Sequence, residues 1–448
     1  MKYLLIPAFI CLTLSLHAQS WIPVGSPAFS AGEADFTSIA IETGGTPYVV
    51  YQDGANGHKA TVMKYNGLSW NTVGSAGFSD SAVLTSIAID GNGTPYVVYV
   101  DGSDSGKATV MKFNGSSWVI VGSAGFTDTS VRGYKWIAID RIGTPYISYA
   151  GLYPGDKATV MKFNGSSWVT VGIPNFSAGT PLDISIAIDT GGTPYVVYGE
   201  GGILGKATVM KFDGINWVTV GSAGFSAGEA AYTSIAIDSS GTPYVAYSDW
   251  GNGYKATVMK YNGTNWVAVG GAGFTAGEVA YTSIVIDGSG IPYVAFGDAA
   301  NSYKVTVMKF DGSNWVAVGG AGFSSGAVGS PSIAINGSGT PYVVYRDSVK
   351  ATVMKFGFLN EVTTISNPSA HLTVCPNPNQ GSFTLHVFSP SKEDATIIIT
   401  NILGEKIKEL MIPGNQETEI QMDAAPGIYM LRSIVAGEIK AILFSITK

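Results

Sequence analysis

Thirteen residues, KATVMKFNGSSWV, stand at 107–119 and recur letter for letter at 157–169. Near-copies open at Lys59, Lys206, Lys255, Lys304 and Lys350, so the seven opening lysines lie 48, 50, 49, 49, 49 and 46 residues apart. A fixed period of this size marks an array in which each unit buries its apolar surface on its neighbours. About 49 residues accommodate four strands of ordinary length with their turns. The unit containing Lys107 reads as strands at 70–74, 86–90, 94–99 and 107–113. Asn-Gly or Asp-Gly follows the last strand six times, starting at Asn66, Asn114, Asn164, Asp213, Asn262 and Asp311. Each pair predicts a two-residue type I′ hairpin into the next tryptophan strand.

Inner strands such as 38–41 and 48–51 are apolar at successive positions. Strands of that kind need cover on both faces. Four-stranded sheets packed radially supply it, which predicts an all-β fold, a seven-bladed β-propeller. Seven tryptophan strands (Trp21, Trp70, Trp118, Trp168, Trp217, Trp266 and Trp315) match the seven KATVMK strands, but out of phase. The chain opens on a tryptophan strand, and Phe356 is followed by neither an Asn-Gly turn nor a tryptophan. The strand around Trp21 is therefore expected to complete the blade that ends at Phe356, closing a propeller over residues 19–357. The cadence Ser-Ile-Ala-Ile-Asp…Gly-Thr-Pro-Tyr-Val-Val-Tyr resembles the repeats of NHL-type propellers over residues 21–356, which implies architecture and not activity.

The chain of 448 residues is 46% apolar and 13% charged and holds 58 glycines, a composition suited to short strands and tight turns. Its net charge of −7 argues against a nucleic-acid partner. Residues 1–18 read as a removable secretory signal: a basic start at Lys2, an apolar stretch over 4–16 too short to span a bilayer, and a cut after Ala18. No transmembrane segment is expected elsewhere. Removal of the signal takes Cys11 and leaves Cys375 without an intrachain partner.

Beyond residue 357 the repeat stops. Residues 358–371 read as a linker, and 372–448 as a small Ig-like β-sandwich with strands at 382–387, 395–400, 419–422, 427–433 and 438–446. Val374-Cys-Pro-Asn-Pro378 with Gly381-Ser-Phe383, Asn401-Ile-Leu-Gly404, Ala425-Pro-Gly-Ile-Tyr-Met-Leu431 and Gly437-Glu-Ile-Lys440 together resemble the type A sorting domain of the type IX secretion system. The match rests on Pro376, Asn377, Pro378, Gly381, Phe383, Gly404, Pro426, Gly427, Tyr429, Gly437 and Lys440; Cys375 stands where the family more often has an aromatic residue. The resemblance implies a Bacteroidetes source, Sec export through the periplasm, the type IX machinery as partner, and an extracellular or outer-membrane-surface destination. It also implies that the sorting domain is cut off as the cargo is released or anchored.

The mature histidines, His58, His371 and His386, offer no metal-ligand spacing, so neither a metal, a cofactor nor a catalytic constellation is expected. Glu42, Asp90, Asp140, Asp189, Asp238, Asp287 and Asn336 recur once per unit; most open Asp-x-x-Gly-Thr-Pro, where a short acceptor side chain stabilises the turn itself. The seven methionines from Met63 to Met354 are expected to pack.

Variation between copies is the remaining signal. The loops after Tyr-x-Asp and the Gly-Phe-Ser loops share one propeller face, and Tyr153, Glu200, Trp250, Tyr254, Tyr303, Arg132, Tyr134 and Asp183 each occur there in one or a few copies. Trp250, Tyr254, Tyr303, Tyr153 and Arg132 are the candidate contacts for a glycan or protein ligand. The expectation is a non-catalytic binding module. The alternatives are an extracellular glycosidase or lyase on the same scaffold, and a structural surface protein. Sialidase chemistry is disfavoured, since Arg132, Arg141 and Arg346 are the propeller's only arginines.

Overall fold

Seven consecutive residues, Pro47–Asp53, are all buried, and so are their counterparts Pro95–Asp101, Pro145–Gly151, Pro194–Glu200, Pro243–Asp249 and Pro292–Asp298. A strand covered on both faces lies between two other layers. In the computed structural model, which describes residues 19–132, 137–151, 156–201, 205–358, 371–388, 394–401, 405–414, 416–435 and 438–447, those layers are the neighbouring blades. The proposed signal at 1–18 and the linker stretch 359–370 lie outside the described residues. The chain divides into two compact units after Gly357.

The first blade runs outward in the order β2 (Ala34–Ile41), β3 (Pro47–Asp53), β4 (Lys59–Tyr65) and β5 (Trp70–Thr72), all antiparallel. Five further blades repeat this order; in the third the inner strand is described in two pieces, Val131–Arg132 and Ile137–Ile139. The seventh is assembled from Val328–Ile335, Pro341–Asp347, Lys350–Phe358 and, outermost, β1 (Gln19–Pro23). The propeller thus has seven blades, and the N-terminal strand completes the last. Each of its seven apolar clusters sits on a seam between two blades.

The seams explain the conserved wording of the repeat. Trp70 Nε1 donates to the Val24 carbonyl of the preceding blade at 2.7 Å, and its ring stacks on Phe29 with centroids 4.3 Å apart. The same donation recurs from Trp118 to Val73, Trp168 to Val121, Trp217 to Val171, Trp266 to Val220 and Trp315 to Val269. Trp21 closes the circle by donating to Val318 at 2.7 Å, 297 positions away. The Gly-Phe loops, read above as part of a binding face, thus spend their phenylalanines on the next blade's tryptophan. Gly25, at φ +69°, shows why glycine opens these loops: a Cβ there would come within 2.9 Å of Tyr65.

The hairpin expectation needs correction. Tyr65 pairs with Trp70, and Asn66 N–H donates to the Ser69 carbonyl, so Gly67 and Leu68, not Asn66 and Gly67, are the central residues. Gly67 takes φ +97° while neither Asn66 nor Leu68 is left-handed. Glycine alone at the first central position is the type II′ pattern. The reason is the asparagine side chain, whose Oδ1 accepts from the amides of Leu68 and Ser69, 2.9 Å each, and holds Asn66 at the corner of the turn.

The C-terminal unit has two sheets. One is ordered His371–Cys375, Ser382–Phe388, Glu417–Gln421; the other Lys406–Ile412, Ala395–Asn401, Gly427–Val435, Glu438–Ile446. Leu385, Phe383, Ile397, Ile399, Leu431 and Phe444 meet in one core drawn from both sheets. The strands at 371–375 and 406–412 were not expected from the sequence.

Candidate binding face and sorting module

Loops between the second and third strands and between successive blades come together on one face: Gly54 N–H donates to Glu33 O at 2.9 Å, and Trp250 N–H to Glu229 O at 3.0 Å. On the fifth blade, Trp250 (54% exposed) and Tyr254 (43%) project from this face. Their rings lie nearly parallel, 10° between planes and 6.1 Å between centroids. Tyr303, 44% exposed, holds the place of Tyr254 on the next blade. The backbone beneath is fixed: Tyr254 N–H donates to Asp249 O at 2.8 Å, and Asp249 Oδ2 accepts from Asn252 and Thr257. Tyr254 and Tyr303 both sit at φ +58°, as His58 does at +59° on the first blade. Gly106 and Gly205 occupy this left-handed position on the second and fourth blades.

Other candidates fare differently. Glu200 is only 3% exposed and caps the loop beneath it, accepting from Gly179 N–H at 2.5 Å, so it is not a surface contact. Asp183 belongs to an inner strand at the axis, not to a loop. Arg132 lies in a strand opposite Ala150, while Tyr134 and Tyr153 fall outside the described residues. Arg346 is engaged by Glu33 at 3.0 Å and by Asp35 across the seam between the last and first blades. The recurrent aspartates are turn residues: Asp90 Oδ1 accepts from Asn92 and Thr94 amides at 2.9 and 2.8 Å, and Asp140, Asp189, Asp238, Asp287 and Asn336 do the same. Among the described residues no three His, Cys, Asp or Glu side chains are placed to hold a metal ion.

The axis holds a second feature. In six blades the inner strand is bulged just before its Ser-Ile pair, as between Asp35 and Ser38 or Ala231 and Ser234. A bulge re-aims a side chain. Phe36, Leu84, Asp183, Tyr232, Tyr281 and Ser330 are left-handed there and line a cavity of about 70 Å³. Threonines clasp the bulges between blades: Thr85 Oγ1 donates to Phe36 O at 2.7 Å, and Thr233 and Thr282 donate to Asp183 and Tyr232 carbonyls. The sequence did carry a signal for this site, a variable residue two places before a Ser-Ile pair, followed by threonine in four of these six strands.

In the C-terminal unit the motif residues hold turns. Asn377 Oδ1 accepts from Ser445 N–H at 2.9 Å, tying the Pro-Asn-Pro segment to the last strand. Gly381 takes φ +96°, where a Cβ would lie 2.5 Å from Met422 O. Tyr429 OH donates to Ala425 O at 2.7 Å, bracing the Pro426-Gly427 corner. Phe383 is in the core. Gly404 and Gly437 lie outside the described residues.

Residues 373–442 match the family of secretion system C-terminal sorting domains. The C-terminal unit is a type IX sorting domain, and it directs export to the cell surface or the extracellular space. No described helix is long and apolar enough to cross a membrane. Comparison with curated protein sequences gives no match. Among solved structures, a polysaccharide lyase of family PL25, an ulvan lyase, is similar at 13% identity and TM-score 0.50, covering 76% of this chain and 94% of the lyase. The Aleuria aurantia lectin bound to Fucα1-6GlcNAc (15% identity, TM-score 0.43, 67% of this chain and 100% of the lectin) is also similar. So is a Hadza microbial sialidase (14%, 0.45, 70% and 73%). At these identities the similarity to the lyase speaks for the propeller fold alone.

Proposed function

We propose that this exported propeller, freed of residues 1–18, is a non-catalytic glycan-binding module that uses the loop face around Trp250, Tyr254 and Tyr303. One observation carries the reading. Tyr254 and Tyr303 are exposed aromatic residues held left-handed at a position where the second and fourth blades have glycine and the first has His58. That conformation costs an L-residue about 1–2 kcal/mol, and the loop closes equally well over Gly106 and Gly205. Local strain at an exposed residue argues for a role in recognition, since stability would favour glycine. Near-parallel rings with polar edges suit the C–H faces and hydroxyls of a sugar.

The test is a glycan array run with the full-length protein and with its Tyr254→Gly/Tyr303→Gly variant, beside an activity screen on the same polysaccharides. The variant should unfold at the same or a higher temperature and lose roughly tenfold in array signal, from two aromatic contacts of about 0.5–1.5 kcal/mol each. Undiminished binding by the variant, or no binding by the parent, refutes the reading.

A further inference from the structure

We infer that the propeller face opposite the loops carries a second site, for an acidic polysaccharide, in two adjoining grooves at the seams of blades one and two and of blades two and three. The first groove, about 490 Å³, lies between Tyr48 and Lys64 of the first blade and Thr94 and Lys112 of the second. The second, about 460 Å³, repeats it with Tyr96 and Lys112 against Thr144 and Lys162. Each exceeds the roughly 150 Å³ that holds one benzene ring. Lys112 stands in both, so one extended chain can cross the pair. The Lys112 and Lys162 ammonium groups lie over the rings of Tyr96 and Tyr146, 5.9 Å from each centroid, an arrangement that favours a fixed position for the charge.

Charge decides the class. Among the described residues Lys64, Lys112 and Lys162 make no ion pair. Their hairpin turns begin with Asn66, Asn114 and Asn164, whereas Lys211 and Lys309 have Asp213 and Asp311 beside them, carboxyls held below the usual range chiefly by backbone N–H groups, with the lysines adding to it. Blade three adds Arg141, next to Ile142 of the second groove; the other six copies of this turn have only Gly, Ser, Thr or Asn at these two places. The nearby acids do not line the grooves. Asp90 and Asp140 each turn an oxygen onto their own turn's amides, and Glu42 accepts from the Tyr48 hydroxyl at 3.3 Å. A row of unpaired cations suits a polymer with repeated carboxylates or sulfates. Every strand that reaches the grooves is paired on both sides, so an extended peptide finds no free sheet edge. A sugar's hydroxyls find Thr94 and the amide N–H of Asn114, whose Oδ1 is spent on its own turn. The site shares no residue with the loop face.

Titration calorimetry of the full-length protein with polygalacturonate and with dextran sulfate, against neutral dextran at matched ionic strength, tests the assignment and separates a carboxylate from a sulfate source. At least one acidic polymer should bind saturably and lose affinity as salt rises, and dextran should not bind. Lys64→Gln/Lys112→Gln/Lys162→Gln should weaken binding about tenfold or more. Arg141→Gly, which installs the residue found in the second blade, should weaken it several-fold and keeps the test open if the triple variant fails to fold. Lys211→Gln/Lys260→Gln/Lys309→Gln removes the same charge from blades four to six and should change affinity by about twofold at most. Tyr254→Gly/Tyr303→Gly should bind these polymers as the parent does, so failure here and failure of the loop-face reading are told apart. Absence of saturable binding, equal binding of dextran, tighter binding of poly-L-glutamate, or equal losses in the two lysine variants overturns the proposal.

Discussion

Replacing Trp21 by alanine should lower the unfolding free energy by about 3–5 kcal/mol, the usual range for truncating a buried tryptophan. Trp21 is 9% exposed. It donates to Val318 at 2.7 Å, stacks on Phe323 at 4.4 Å and leans on Phe356 at 5.6 Å. The first two contacts hold blade seven against blade six, and the third holds β1 on its own blade. Loss of the side chain therefore weakens both the seam and the strand that makes the circle. Urea unfolding followed by tryptophan-independent far-UV dichroism is the measurement. Ile142→Ala, at a side chain 89% exposed, is the control and should change nothing. A Trp21→Ala protein within 1 kcal/mol of the parent, a difference of about fivefold in the folding equilibrium, would mean that this strand is not part of the folded ring.

The second large effect is alkaline. Tyr51, Tyr99, Tyr149, Tyr198, Tyr247 and Tyr345 are buried on the second strands, and burial raises all six hydroxyl pKa values well above 10, with the charge of a nearby Asp or Glu adding to it. Tyr48, beside Glu42, is pushed up to about 12, again mainly by burial. Folded values above the unfolded value mean that this stabilisation is complete below about pH 10 and is lost as pH rises past it. Each buried tyrosine then removes about 1.4 kcal/mol per pH unit, so six acting together make a steep transition. The expected result is cooperative unfolding shortly above pH 10, with absorbance at 295 nm rising in the same step as the loss of dichroism. Blade six already carries Phe296 in this place, and introducing Phe at Tyr51 and Tyr247 should shift the transition to higher pH. Tyrosines ionising near pH 10 in a protein that stays folded would contradict the burial argument.

The blade count and the closure were legible because they depend on strand number and phase, which a repeat displays directly. Phe356 without a following tryptophan said where the ring must join. Contacts made between units were harder to read. Phe29 and its equivalents look like loop residues until the next blade's tryptophan is seen against them. Tyr232 and Tyr281 at left-handed bulges run against local preference, so no propensity rule finds them. Asn66 misled because an Asn-Gly pair suits a type I′ turn, while its side chain can equally brace the corner of a type II′ turn one residue later. Glu200 varied between copies for a structural reason, as the local substitute for the buried Asp53 and Asp101. In the sorting domain the motif residues were readable, whereas Lys406–Ile412, an edge strand exposed along most of its length, carries no clear alternation.

The claim on which the rest depends is that strand β1 fastens the circle through the last blade. A chain lacking residues 19–33, followed by thermal dichroism with increasing amounts of a synthetic peptide of that segment, tests it most directly. The account predicts loss of the cooperative transition in the shortened chain and its saturable return as the peptide fills the vacant edge beside Lys350–Phe358. A shortened chain that melts like the parent, indifferent to the peptide, would contradict it.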